Sequence, residues 1–317
     1  MNARFVIALL IAAATPLAAQ KPLPPGSPWL FAGFKGNSED GVFYALSRDG
    51  YHWTLANDDK PVVKQTTPGE LMRDPFVQRA PDGSFVMVWT WSWHNKNTLG
   101  FSSSNDLVHW TPHREIPVMP AEPKVVNVWA PAVYWEPRQK RWLIFWSSTI
   151  PGMFPGDDSG DNGFNHRIWS TTTTDFKSMT PEKIFFDPGY SVIDATLLAT
   201  PEIKGAPFHL IFKDERKTPL EKHLLTASGP TIEGPWTNIS KPISETWSEG
   251  AAIIRVPGGY LAYYDHYTKP QHYGAWFTSD FQTWTDATPK IDFPAGLRHG
   301  SFLQISQDEY EQLMKLK

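Results

Sequence analysis

The chain has 317 residues, and its 29 Lys and Arg against 33 Asp and Glu give a formal net charge of −4 at pH 7. A charge this small and negative is atypical of proteins that coat nucleic acid or anionic membranes. The lack of cysteine excludes disulfides, thiolate metal sites and a cysteine nucleophile, while 15 tryptophans leave open whether these rings pack the core or face a ligand.

The first segment of the chain is short and apolar. It reads MNARFVIALLIAAATPLAAQ, with Arg4 ahead of the apolar run. This layout predicts a signal peptide over residues 1–19 and a mature protein over 20–317 that is periplasmic or secreted. No later segment is apolar for long enough to cross a membrane, so we expect no membrane span. We also expect no nucleic-acid partner and a monomer.

From residue 29 onward, short alternating or apolar runs broken by Gly, Pro, Asn and Asp predict an all-β chain. One turn recurs, in which Ser or Thr and Asp follow a strand and precede an aromatic side chain. Its copies lie at 47–54, 103–111, 172–180 and 278–286, with a degenerate copy at 226–240. Ser, Thr and Asp suit such a turn because their side chains bond the local backbone. The turn tryptophans are therefore expected to pack between sheets: Trp53, Trp110, Trp236 and Trp284.

A pair of strand-like runs precedes each later turn, at 74–90, 130–146, 194–212 and 249–265. Four strands in about 58 residues are typical of one blade of a β-propeller. A lone first strand at 299–306 and a lone second strand at 29–36 complete a fifth blade if they pair. The chain is therefore predicted to be one all-β domain, a five-bladed β-propeller whose ring is closed by its N- and C-terminal strands. A short helix is expected after residue 306.

The first strands of the repeats share one unusual position. Aligned by their opening triplets, they carry Asp74, Ala130, Asp194, Glu249 and His299 there. The first strand of a propeller blade lines the central channel, so these side chains are expected to meet in one funnel. Like charges gathered in a partly dry funnel oppose folding, which favours a functional role. The alternative is that each acid caps a turn or binds an ion.

Paired carboxylates in a cleft are the groups that hydrolyse glycosidic bonds, because one donates a proton and the other activates water. Sugar rings stack on tryptophan faces, which suggests a role for the tryptophans close in sequence to the aligned triplets. The predicted substrate contacts are Arg73, Trp91, Trp93, Trp129, Trp247, His266, Arg298 and His299.

Four short motifs occur in blade order: Arg73-Asp74-Pro75, Trp129-Ala130-Pro131, Ile193-Asp194-Ala195 and Ser248-Glu249-Gly250-Ala251. In this order and spacing they resemble glycoside hydrolase family 43 and its relatives. The resemblance implies an exported, inverting glycosidase of the α-L-arabinofuranosidase or β-xylosidase type, acting on arabinose-, xylose- or other furanose-containing glycans. It implies Asp74 as the general base, Glu249 as the general acid, and Asp194 as the group that tunes the pKa of Glu249 and orients it.

The resemblance also implies a place for His299 at the bottom of the funnel. There it lies near a water, a halide or a structural divalent cation such as calcium, which His299 would bind, or it is simply hydrogen-bonded. No cofactor is expected to be required. Two other functions stay open. One is a non-catalytic carbohydrate-binding propeller. The other is a glycoside phosphorylase or transferase on the same fold, which would place Arg73, Lys213 and Arg298 around a phosphate.

Overall fold

The computed structural model describes residues 23–94, 96–157 and 159–316. Nearly all regular structure in these residues is β-strand, in five separate antiparallel sheets that we call blades. The predicted signal peptide over residues 1–19 lies outside the described residues. Within the described ranges, no helix has the length and apolar character needed to cross a membrane.

The blades follow one another along the chain. Blade 1 begins with β1 (Trp29–Lys35), β2 (Gly41–Ser47), β3 (Thr54–Leu55) and β4 (Val63–Lys64). Blade 2 contains β5 (Arg73–Arg79), β6 (Phe85–Thr90), β7 (Thr98–Ser104) and β8 (Arg114–Pro117). Blade 3 contains β9 (Trp129–Glu136), β10 (Arg141–Ser148), β11 (Arg167–Thr173) and β12 (Lys183–Phe186).

The second half of the ring is built in the same way. Blade 4 contains β13 (Val192–Ala199), β14 (Phe208–Asp214) and β15 (His223–Gly229). Blade 5 contains β16 (Ser248–Val256), β17 (Gly259–His266), β18 (His272–Thr278) and β19 (Thr285–Asp286). The last strand, β20 (Leu297–Gln304), returns to blade 1.

The ring is closed by β20, which pairs with β1 so that Trp29 lies opposite Gln304. This pairing confirms the predicted closure by the two terminal strands. The strands β20, β5, β9, β13 and β16 contact one another in a closed cycle, so these five inner strands line the axis. Helix α1 (Gln307–Leu313) confirms the expected short helix, and Ser306 and Glu309 cap each other at its start.

The recurring turn is held by its own side chains. In blade 1 the Ser47 hydroxyl accepts the Gly50 N–H at 2.8 Å, and Asp49 accepts the N–H groups of Tyr51 and His52 at 2.8 and 2.9 Å. The same bonds recur at Ser104 with Asp106, Thr173 with Asp175, and Thr278 with Asp280. The turn tryptophans pack against apolar clusters, as expected: Trp53, Trp110, Trp236 and Trp284.

Blade 4 differs from the expected four strands, because only three form. The segment 236–244 lies where a fourth strand would run. It bonds β15 irregularly, through backbone pairs such as Ser228 with Thr237 and through serine side chains. The hydroxyl groups of Ser240 and Ser244 accept the N–H groups of Thr226 and Leu224, each at 2.9 Å. The outer edge of β15 is thus satisfied without a strand beside it.

Candidate active site

A bulge recurs near the start of each inner strand. In β5 the register with β6 shifts between Arg73 and Phe76, and matching shifts occur in β9, β13, β16 and β20. Within the shift, four inner strands carry a residue with positive φ: Asp74 (52°), Ala130 (49°), Asp194 (57°) and Gly250 (60°). Positive φ is unfavourable for a residue with a Cβ, and bulges redirect side chains beside active sites. Two of the predicted acids therefore occupy strained positions.

The bulges correct the sequence alignment by one residue in blade 5. Gly250 rather than Glu249 matches Asp74, and Glu249 matches Arg73, the residue before the shift. A Cβ at Gly250 would lie 2.5 Å from Cγ of His299, so no side chain fits at the matching position. In blade 5 the carboxylate is therefore carried by Glu249, one residue before the position that Asp74 occupies in blade 2.

His299 stands between two of the acids. Its Nδ1 lies 3.2 Å from Oδ1 of Asp74 and 3.7 Å from Oδ2 of Asp194. Burial alone lowers the pKa of His299, but the charges of these two carboxylates outweigh it and raise the pKa to about 9. His299 is therefore an imidazolium cation at neutral pH.

Asp74 is buried and ionised. The Thr90 hydroxyl donates to its Oδ2 at 2.7 Å, and His299 faces its other oxygen. Burial raises the pKa of Asp74, yet the charges of His299 and Arg73 and the bond from Thr90 lower it to about 2. Asp74 is consequently an anion over the whole physiological pH range.

Glu249 lies between two cations. Lys213 Nζ is 3.1 Å from Oε2, and Arg298 Nη2 is 3.0 Å from Oε1. Burial raises the pKa of Glu249, but the charges of Lys213 and Arg298, with His299, hold it below its usual range. Glu249 is thus ionised in this arrangement.

Asp194 behaves in the opposite way. Its Oδ2 accepts the Gly250 N–H at 3.0 Å. Burial raises its pKa to about 6; His299 opposes the rise, and the nearby charge of Glu249 adds to it. Asp194 was expected to tune the pKa of Glu249, and in this arrangement Asp194 binds a proton more readily than Glu249 does. The reason is that the two cations lie against Glu249.

In each blade a second strand pairs with the inner strand. Five residues occupy equivalent positions on these second strands, and an alignment of the inner strands alone does not find them. They are Phe34, Thr90, Ser147, Lys213 and Asp265, each opposite the last inner-strand residue before the shift. Each contacts the inner strand of the following blade, in the pairs Phe34–Arg73, Thr90–Ala130, Ser147–Asp194, Lys213–Glu249 and Asp265–Arg298. Aligning the second strands of the repeats is the signal that would have found this ring of contacts.

Lys213 belongs to a row of buried side chains whose charges alternate in sign. Its Nζ lies 2.8 Å from Oε2 of Glu215, and Glu215 in turn accepts from Lys222 at 2.5 Å. On the other side of the funnel, Arg298 pairs with the fully buried Asp265. Each buried charge therefore has an opposite neighbour, which limits the cost of desolvation.

Three of the predicted tryptophan platforms lie near the acids along the chain. Trp93 is 37% exposed and meets Trp129 edge-on, with ring centroids 5.7 Å apart. Trp129 also packs on Phe164 at 4.8 Å and donates its Nε1–H to the Trp93 carbonyl at 3.0 Å. Trp247, half-buried ahead of β16, meets Tyr267 edge-on at 5.9 Å.

Two predicted substrate contacts lie elsewhere. Trp91 is 4% exposed and packs beside Trp89 in the core between blades 1 and 2, so its faces are closed to a sugar. His266 stacks on His272 at 4.7 Å. Because side chains alternate along a strand, His266 points away from Asp265, which faces the funnel.

The structure does not fit the expectation of a metal at His299. Within residues 23–94, 96–157 and 159–316, no group of three or more His, Asp or Glu side chains is arranged to hold a metal ion. The Nδ1 of His299 faces Asp74 and Asp194 and engages both carboxylates. The same engagement of both carboxylates disfavours calcium beside it.

Comparison with known proteins places the fold among glycosidases. A model of the glycosyl hydrolase family 43-related type, described as "Probable glycosyl hydrolase domain", matches residues 25–311. An α-L-arabinofuranosidase of Bifidobacterium longum subsp. longum is 23% identical in an alignment of 202 residues that covers 55% of this chain. The match spans only 19% of that relative.

Two solved structures share the propeller. An endo-arabinase from Bacteroides thetaiotaomicron has a TM-score of 0.54 at 14% identity, covering 70% of this chain and 81% of that one. A family 43 β-1,3-galactosidase has a TM-score of 0.56 at 14% identity, covering 85% and 59%. At these identities the likeness shows the fold alone. Together with the family model, these matches confirm the resemblance indicated by the four sequence motifs.

Proposed function

We propose that this chain, which belongs to the glycosyl hydrolase family 43-related domains, is an exported inverting glycosidase that cleaves α-L-arabinofuranosyl or β-xylosyl bonds. One observation carries the proposal: acids from three blades converge around His299 with pKa values pushed apart, about 2 for Asp74 and about 6 for Asp194. Acid–base hydrolysis of a glycoside needs groups separated in this way. The similarity to an α-L-arabinofuranosidase supports the first choice of sugar. Export rests on the signal peptide expected over residues 1–19.

Asp74 is the proposed general base. It is ionised, and His299 and Thr90 fix both of its oxygens. A water that attacks the anomeric carbon gives its proton to Asp74 as the new C–O bond forms. His299, a neighbouring cation, stabilises the Asp74 carboxylate that is restored when this proton leaves.

Glu249 and Asp194 are the proposed proton-donating pair. Glu249 faces the substrate, because 19% of its side chain is exposed against 5% for Asp194. Below about pH 6 the proton rests on Asp194. It passes to Glu249 and then to the glycosidic oxygen as the old C–O bond breaks. One proton has then left the pair and one has reached Asp74, and exchange with solvent restores the starting state.

A panel of chromogenic arabinofuranosides and xylosides, with natural oligosaccharides, tests this function. Asp74→Asn and Glu249→Gln are each expected to lower kcat/KM by about 10²- to 10⁴-fold in a protein that circular dichroism shows to be folded. The control Asp280→Asn alters an exposed turn acid of the repeat and should retain full activity. Wild-type kcat/KM should fall as the pH rises through about 6, because the donor pair then loses its proton. Proton NMR of the first product anomer tests inversion, and wild-type rates in both acid variants would refute the mechanism.

The two cations that contact Glu249 favour a second candidate function. An acid held by both Lys213 and Arg298 suits a carbohydrate-binding propeller that has no turnover. Calorimetric binding of the panel's glycans by a wild-type protein that releases no product supports that candidate. Two of the three cations that the phosphorylase or transferase alternative needs, Lys213 and Arg298, pair with Glu249, which argues against that alternative.

A further inference from the structure

Arg73 breaks the pattern of contacts between second and inner strands. In the other four blades a polar or charged second-strand residue meets the next inner strand, but Arg73 meets the ring of Phe34. Its guanidinium carbon lies 4.4 Å from the ring centroids of both Phe34 and Trp93. At the matching position of the ring, Arg298 pairs with Asp265 and Glu249. Among the described residues, no carboxylate pairs with Arg73.

The packing of Arg73 leaves its N–H edges available. A guanidinium that lies over aromatic rings directs its donors sideways, in its own plane, away from those rings. That planar edge matches the two oxygens of a carboxylate, to which arginine bonds in a bidentate manner. The rings of Phe34 and Trp93 also hold the group in place, so little side-chain freedom is lost when an anion binds.

We propose that Arg73 binds the carboxylate of a uronic acid residue, so that the substrate of the funnel is an acidic glycan. This inference deepens the proposed function and rests on the funnel being its glycan site. Arg73 precedes the proposed base Asp74, so the uronic acid lies close to the bond that is cleaved. The cleaved sugar itself can be neutral, because the carboxylate serves recognition and not the chemistry.

Calorimetric titration with monosaccharides tests the proposal without turnover. Glucuronate and galacturonate are compared with glucose and galactose, which differ from them only at C6. We expect the wild-type protein to bind each uronate about 10- to 100-fold more tightly than its neutral partner, as charge-assisted bonds allow. Arg73→Gln is expected to abolish this difference. Arg73→Lys should retain part of it, since an ammonium group keeps the charge but loses the planar fork.

Arg48→Gln is the matched control. The Arg48 guanidinium also lies over a ring, that of Tyr310 at 4.2 Å, but at the outer surface. This variant should keep the wild-type preference for uronates. If Arg73→Gln fails to fold, added salt applied to the wild type should weaken uronate binding and leave neutral-sugar binding unchanged.

Equal affinity for uronates and neutral sugars in the wild type overturns the inference. So does an Arg73→Gln variant that only shifts the pH–rate profile, because Arg73 then acts on Asp74 alone. The two proposals fail separately. If the protein hydrolyses neutral glycosides but does not prefer uronates, the proposed enzyme function is supported and the uronate site is refuted. If uronate binding depends on Arg73 but no turnover occurs, the uronate site is supported and the enzyme function is refuted.

Discussion

Replacement of His299 by Gln removes the cation between two buried acids, and its effect on stability depends on pH. The pKa of His299 is about 9 in the folded protein, against 6.5 for an ordinary histidine. Since each pKa unit corresponds to 1.36 kcal/mol, this rise stabilises the fold by about 3 kcal/mol. Only 14% of the side chain is exposed, so solvent screening reduces the value little. The lowered pKa of Asp74 reflects the same ion pair and adds no second contribution.

The sign follows from the direction of the shift. A raised pKa means that the folded state binds the proton more tightly, so the stabilisation is complete below about pH 6.5 and is lost as the pH rises through 9. The wild-type free energy of unfolding should therefore fall by about 3 kcal/mol more than that of His299→Gln between pH 6 and pH 10. Urea unfolding at a series of pH values measures both proteins, and NMR titration of the imidazole gives the pKa directly.

His109→Gln provides the control. His109 also lies beside an aspartate, with Nδ1 2.7 Å from Asp106, but both side chains are at the surface of a repeat turn. This variant should follow the wild-type dependence of stability on pH. Parallel curves for the wild type and His299→Gln would mean that His299 is not a cation at neutral pH, and the electrostatic account of the site would then be wrong.

Two further substitutions test neighbouring contacts. Lys213→Met leaves Glu249 with Arg298 as its remaining close cation, so the pKa of Glu249 should rise. The fold should lose about 1.5–3 kcal/mol in urea unfolding, the value of a hydrogen bond to a charged group. Unchanged stability and an unchanged pH–rate profile would contradict this. Thr90→Val removes a bond to the ionised form of Asp74, so the acidic limb of the pH–rate profile should move to higher pH. Thr90→Ser, which keeps the hydroxyl, should leave that limb in place, and identical limbs in both variants would argue against the bond.

The architecture could be predicted from the sequence because its signals are local and repeated. Turn residues such as Ser47 and Asp49 satisfy the backbone beside them, so each copy of the turn marks the same point in a blade. The two unpaired strand-like runs, 29–36 and 299–306, then had only each other as reasonable partners. Blade 4 was the exception, since Ser240 and Ser244 bond the edge of β15 without forming a strand. A sequence pattern does not distinguish such bonds from a ladder.

The site was only partly predictable, because its details depend on contacts between blades. Because His299 leaves no room for a side chain at Gly250, the acid of this strand is at position 249. The protonation of Glu249 depends on Lys213, which reaches it from the preceding blade. Trp91 is close in sequence to Trp93, yet it is buried between two blades. Distance along the chain indicates which residues are near the funnel, but packing decides which of them face it.

The closure of the ring by β20 also has a consequence for folding. Within the other blades, each inner strand pairs with the strand that follows it, whereas β20 must meet β1 from the opposite end of the described chain. Contacts so distant in sequence form slowly. The strand β20 carries the cations Arg298 and His299. Until β20 pairs with β1, the acids of the other blades repel one another; once it has paired, its two cations attract them. Pulse-labelled hydrogen exchange during refolding should find the β20 amides among the last to be protected, so that the reactive centre and the finished ring form in the same step.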